Sequence, residues 1–236
     1  MNKEKVLLGL GALITVDLLY NGVKYCYNLL YKDTTYMKLN NLKFIHITKT
    51  GGTSIEYWGK KLGLKWGNND KEYLNSLKRC KLEKKSSWHV PELFYDKKVY
   101  DCDTFTIVRN PYTRIISEYY CKWSNGSKTL DTDTKEDFNI YIKNFVKNVQ
   151  YYQEVSGLPQ YLYLPVTHVL KFETLQNDFT ELVEKYEKNI DTILPHMNKK
   201  RECESYFTIN DIDRNNLDLI NKIYDIDFRL FGYEKI

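Results

Sequence analysis

The sequence predicts an α/β fold in which a central, mainly parallel sheet carries helices on both faces. Three observations support this. Residues 42–47, 104–108 and 167–172 are short stretches with the apolar, β-branched and aromatic content of buried strands. Each is followed by residues that open a helix: Gly51 and Gly52, Pro111, and the periodic set Leu175, Phe179, Leu182, Val183 and Tyr186. Strands that alternate with crossover helices pair in parallel, since the helix carries the chain back to the same edge.

Taken in order, residues 1–35 form an N-terminal apolar extension, and residues 36–236 form one α/β domain. Within the extension, Lys3 and Lys5 precede an apolar run, and Lys24 and Lys32 lie at its far end. Two readings are open for residues 6–31. One is a type II, Golgi-like membrane anchor, and the other is an amphipathic or buried helix on a cytoplasmic chain. The run is short against the about 20 residues of a span, and Asp17 falls inside it. A helix is expected from about Thr53, another over residues 112–123, and a last one capped by Asn210 or Asp211, with Leu217, Ile220 and Tyr224 on its apolar face.

Composition removes several function classes. A hydrophobic share of 42% with only five prolines and eleven glycines is that of a globular chain rather than a disordered one. The net charge of +4 is a small excess over charges of both signs, so no nucleic-acid partner is expected. The five cysteines contain no CxxC pair, and no His/Cys cluster has zinc-ligand spacing, so no metal is expected.

The chemistry is concentrated after the first two strands. In an open parallel sheet, ligands lie beyond the carboxyl ends of the strands. There, Lys49, Thr50, Gly51, Gly52, Thr53 and Ser54 combine one cation, two glycines and three hydroxyls at a helix start. Glycines let the backbone approach an anion, the free N–H groups at the helix start favour negative charge, and lysine adds a full positive charge. A Walker loop carries its lysine after the last glycine, whereas here Lys49 comes first. After the second strand, Arg109 lies eight positions before Ser117, so both can face one oxyanion from the same strand and helix.

The string Phe44-Ile45-His46-Ile47-Thr48-Lys49-Thr50-Gly51-Gly52-Thr53-Ser54 resembles the 5′-phosphosulfate loop of the sulfotransferase family, in its membrane-associated, carbohydrate-modifying branch typified by heparan and chondroitin O-sulfotransferases. Arg109-Asn110-Pro111-Tyr112-Thr113-Arg114-Ile115-Ile116-Ser117 resembles that family's 3′-phosphate motif, and the ending from Tyr224 to Tyr233 is similar to its closing segment. The family usually has proline where this chain has Thr48, a departure that bears on loop rigidity. The resemblance implies a P-loop-like three-layer sandwich and transfer of a sulfuryl group from 3′-phosphoadenosine 5′-phosphosulfate (PAPS) to a hydroxyl of an acceptor, most simply a carbohydrate.

It also implies roles for particular residues. Lys49 with the loop through Ser54 would hold the 5′ end of the donor, Arg109 and Ser117 the 3′-phosphate, and Lys199 and Lys200 would close over the nucleotide. Lys49 would also neutralise the departing oxygen. His89, between the two motifs, matches the family's catalytic histidine, and imidazole suits a base working near neutral pH. Glu92 is the fallback base, ahead of Glu56 and Glu118. The basic stretch Lys78, Arg79, Lys81, Lys84 and Lys85 would favour an anionic acceptor if it faced the cleft. Two other readings remain open here: a P-loop nucleotide or sugar kinase, and a catalytically silent nucleotide-binding or interaction protein.

Overall fold

A computed structural model describes residues 37–70, 89–94, 101–121, 134–197 and 207–236. The apolar run at residues 6–31, the basic stretch at 78–85, and Lys199 and Lys200 lie outside these residues. No helix among the described residues is long and apolar enough to cross a membrane.

The sheet is built from β1 (Leu42–Ile45), β2 (Asp103–Val108) and β3 (His168–Lys171) in the order β1-β2-β3, with both pairs parallel. Leu42 stands opposite Asp103, and Val108 opposite Lys171, so the strands end nearly level. Around the sheet run seven α-helices among the described residues: α1 (Met37–Asn40), α2 (Gly52–Lys61), α3 (Pro111–Tyr119), α4 (Lys135–Gln150), α5 (Leu175–Tyr186), α6 (Arg214–Ile223) and α7 (Asp225–Phe231). Each strand is followed by a helix, as the alternation of apolar runs predicts.

Side-chain alternation along the strands separates the two faces. Leu42, Phe44, Phe105, Ile107 and Leu170 pack on one side with Ile55 and Trp58 of α2 and Phe179, Leu182 and Val183 of α5. Ile45 and Val108 pack on the other with Val90, Leu158, Leu162, Tyr163 and Phe231. A further cluster joins α3, α4, α6 and α7 through Tyr112, Ile116, Phe138, Ile142, Leu217, Ile220 and Phe228. The result is the expected layered α/β sandwich.

Some boundaries differ from the sequence expectation. β1 ends at Ile45 rather than at residue 47; His46 and Ile47 lead out of the ladder into the turn at Thr48 and Lys49. α3 stops at Tyr119, short of residue 123. Its start is as expected: Pro111 occupies the first turn, and the Asn110 side chain accepts the backbone N–H of Tyr112 at 3.0 Å. The last amphipathic helix is capped by Asp213, whose carboxylate accepts the N–H of Asn216 at 2.8 Å. Asn210 and Asp211 belong instead to a separate 3-10 turn, Ile209–Asp211, closed by Thr208.

Candidate active site

Because β1 and β2 are parallel neighbours, the loop after β1 and the turn after β2 emerge side by side. The loop is folded tightly. Lys49 and Gly51 both adopt left-handed backbone, with φ of 63° and 88°. Thr50 is buried and donates its hydroxyl to the Ile47 carbonyl at 2.7 Å, so its side chain closes the loop from within. Gly52 is required sterically, since a Cβ there would lie 2.4 Å from the His46 ring. Gly51 occupies the N-cap of α2 and contributes no side-chain acceptor to the amides of the first turn. Those amides and the positive end of the helix lie where the sequence analysis expects an anion to be held.

Thr48, in place of the family's usual proline, is held by other means. Its hydroxyl donates to the Ser156 carbonyl and accepts from Arg114 Nη2 at 3.2 Å, while its own carbonyl accepts from Arg114 Nε at 3.0 Å. Arg114 is almost fully buried and also donates to the carbonyls of Leu158 at 2.9 Å and Ser156 at 3.0 Å. A buried guanidinium satisfied mainly by main-chain oxygens fixes the loop and keeps a positive charge beneath it.

Arg109 lies directly beside the loop. Its Nη1 donates to the Lys49 carbonyl at 3.1 Å, its Nε donates to Thr113 Oγ1 at 3.0 Å, and its guanidinium lies 4.0 Å from the centre of the Phe172 ring. Burial, partly offset by nearby Glu173, lowers its pKa to about 10, which leaves it charged at neutral pH. Ser117 follows Thr113 by four residues on the same face of α3, about 5–6 Å further along. The closing segment reaches this corner too. Tyr233 donates to Glu173 at 2.8 Å, and the other oxygen of that carboxylate accepts the N–H of Asn110 at 2.9 Å.

His89 lies against the loop from the opposite side. Its ring meets that of His46 edge to face at 4.5 Å, and its carbonyl accepts the Tyr163 hydroxyl at 2.6 Å. Burial first, and then the charges of His46, Arg114 and Lys49, lower its pKa to about 2. It is therefore neutral at physiological pH, and its burial disfavours protonation.

Lys49, Arg109 and His89 thus share one edge of the sheet. The carboxylates named as further bases are placed differently. Glu56 bonds to His46 Nδ1 at 2.8 Å and accepts the N–H of Asn68 at 2.9 Å, beneath the loop. Glu118 is buried beside Tyr224. Glu92 is half-buried in the turn Glu92–Phe94, three residues from His89. Ser54 accepts the N–H of Met197 at 3.4 Å, which brings the chain just before Lys199 and Lys200 to the start of α2.

Five residues with a part in this arrangement were not singled out from the sequence: Thr113, Arg114, Gln160, Tyr163 and Phe172. Arg114 lies inside the 3′-phosphate motif, and Thr113 lies one turn before Ser117, so helical spacing marks both. Gln160, Tyr163 and Phe172 carry no local signal.

A family model described as the sulfotransferase family matches residues 18–234. The chain belongs to that family, whose chemistry is sulfuryl transfer from a nucleotide sulfate donor to a hydroxyl-bearing acceptor. No curated protein and no solved structure matches it.

Proposed function

We propose that this chain transfers a sulfuryl group from PAPS to a hydroxyl of a carbohydrate, with His89 as the base. The observation that carries this is the hydrogen bond from Arg109 to the Lys49 carbonyl, because it joins the two anion-binding motifs into one continuous site. One nucleotide with phosphates at both ends of its ribose fits a site divided in this way.

In this reading the loop amides and Lys49 hold the 5′ end, and Arg109 with Ser117 holds the 3′-phosphate. Lysine charge beside the departing oxygen stabilises the transition state more than the ground state. His89 takes the acceptor's proton. The cations that depress its basicity, Lys49 and Arg114, are the ones an anionic donor would neutralise. Donor binding therefore relieves the smaller, coulombic part of that depression, while burial, its main cause, stays. The Thr48 hydroxyl and the Arg114 guanidinium take the place of proline in stiffening the loop.

The test has two stages. Adenosine 3′,5′-bisphosphate, the desulfated donor, is expected to raise thermal stability, and ATP with magnesium is not. Labelled PAPS offered with a panel of glycans, tyrosine peptides and small alcohols is then expected to label a glycan. His89→Ala should keep the stabilisation and lose the transfer. Stabilisation by ATP alone, or transfer that survives His89→Ala, would refute the reading.

A further inference from the structure

The segment from Ser156 to Tyr163 contains no recognisable motif, yet it bonds to Thr48, Arg109, Arg114 and His89. At its start, the carbonyls of Ser156 and Leu158 accept from Arg114, and Ser156 also accepts from Thr48, so this end holds the anion loop. At its far end, Tyr163 holds the carbonyl of His89. Between them lies Gln160, a fully buried side chain. Its Oε1 accepts the backbone N–H of Arg109 at 2.8 Å, and its Nε2 donates to the backbone carbonyl of the same residue at 2.8 Å.

That pairing is specific in its chemistry. β2 ends at Val108, where its register with β3 closes on Lys171, and Arg109 is the first residue beyond the ladder. The Gln160 amide supplies one donor and one acceptor, the two groups a neighbouring strand would have offered. The segment is itself anchored from below. Asp227 is buried and accepts the N–H groups of Gln160 at 2.8 Å and Tyr161 at 2.9 Å, and the Tyr224 hydroxyl donates to the Gly157 carbonyl at 2.6 Å.

We propose that Gln160 is a positioning residue for Arg109, and that the segment from Ser156 to Tyr163 holds Arg109, the Lys49 loop and His89 in fixed relation. This rests on the reading of Arg109 as the ligand of the 3′-phosphate. A residue that aims Arg109 affects recognition of that phosphate selectively, whereas one that only supports the fold affects all ligands alike.

The experiment is calorimetric titration of the full chain with adenosine 3′,5′-bisphosphate and with adenosine 5′-phosphate, and the readout is the ratio of their affinities. Gln160→Met keeps the length of the side chain and removes its two hydrogen bonds to Arg109, together with the longer one from Nε2 to Asp227 at 3.4 Å. It is expected to lower the ratio about tenfold, with affinity for the 5′-phosphate changed by less than about twofold. In an Arg109→Ala background, the same substitution should have no further effect on the ratio. Asp227→Asn weakens the anchoring of the segment, the contact with Gln160 included, keeps the Gln160 side chain itself and should shift the ratio the same way; it serves if Gln160→Met does not fold. An unchanged ratio, or equal loss for both nucleotides, would overturn the proposal. A wild-type ratio insensitive to Arg109→Ala would overturn the reading of Arg109 and the proposal with it.

Discussion

The two ends of the one sheet are built from similar side chains and behave differently. At the amino end, His168 Nε2 lies 2.7 Å from the Tyr186 hydroxyl, that hydroxyl donates to Asp103 at 2.7 Å, and Thr167 donates to the other Asp103 oxygen at 3.3 Å. Side chains there bond mainly to one another. At the carboxyl end, the Arg109 and Arg114 side chains bond mainly to main-chain oxygens of the loop and of the segment after α4, and the carbonyl of His89 accepts from Tyr163. Three cations converge there against a helix start. Titrations are displaced at both ends: burial lowers the pKa of His168 and raises that of Tyr186, as it lowers that of His89. A displaced pKa alone therefore does not distinguish the two ends, while convergence of positive charge on glycine backbone does.

This contrast can be broken or sharpened by measurement. The largest effect is expected at the carboxyl end, where Lys49→Ala or Arg109→Ala should each abolish the thermal stabilisation by adenosine 3′,5′-bisphosphate. Asp103→Asn at the amino end should leave that stabilisation intact. A response that survived both cation deletions would remove the distinction between the ends.

Acid titration comes next. The folded-state pKa of His89 is about 2 against 6.5 for the free side chain, so the unfolded chain binds the extra proton first. The stability tied to His89 is fully present above pH 6.5 and is lost progressively as pH falls from there toward about 2. Chemical denaturation of wild type and His89→Gln between pH 7 and pH 4 should show a flatter acid slope in the variant; parallel slopes would count against a buried neutral His89.

Two glycines give a smaller test. Gly52→Ala places a Cβ 2.4 Å from the His46 ring and is expected to cost about 1–3 kcal/mol and to weaken nucleotide binding. Gly63, beyond the other end of α2, has a φ of 75° but no atom within 4 Å of the added carbon. Gly63→Ala should cost only about 1 kcal/mol of backbone strain and leave binding unchanged, as judged by denaturant midpoint and titration. Smallest of all, Tyr186→Phe removes the relay between His168 and Asp103 and should cost about 1 kcal/mol in stability with the nucleotide response intact.

Much of the fold was legible before any coordinates. The strand cores, the start of α3 at Pro111 and the glycine loop follow from constraints that act within a few residues, and the parallel pairing from the alternation of strands with crossover helices. The ends of β1 and α3 were less legible. Ile47 is as apolar as Ile45, but it lies beyond the ladder, just before the turn in which Lys49 adopts its left-handed backbone and its carbonyl meets Arg109. The cap of α6 was misplaced for a related reason, since Asn210 and Asp211 are good capping residues consumed by a turn of their own.

By itself, the sequence determined which residues would carry charge and flexibility to the ends of the strands, because strand length, glycine position and helix start are local properties of the chain. Only the tertiary structure decided how they are held. The contacts of Gln160 with Arg109, of Arg114 with Thr48 and of Tyr163 with His89 span 51, 66 and 74 residues. No local period records such pairings; they arise because buried polar groups must find partners wherever packing brings the chain together.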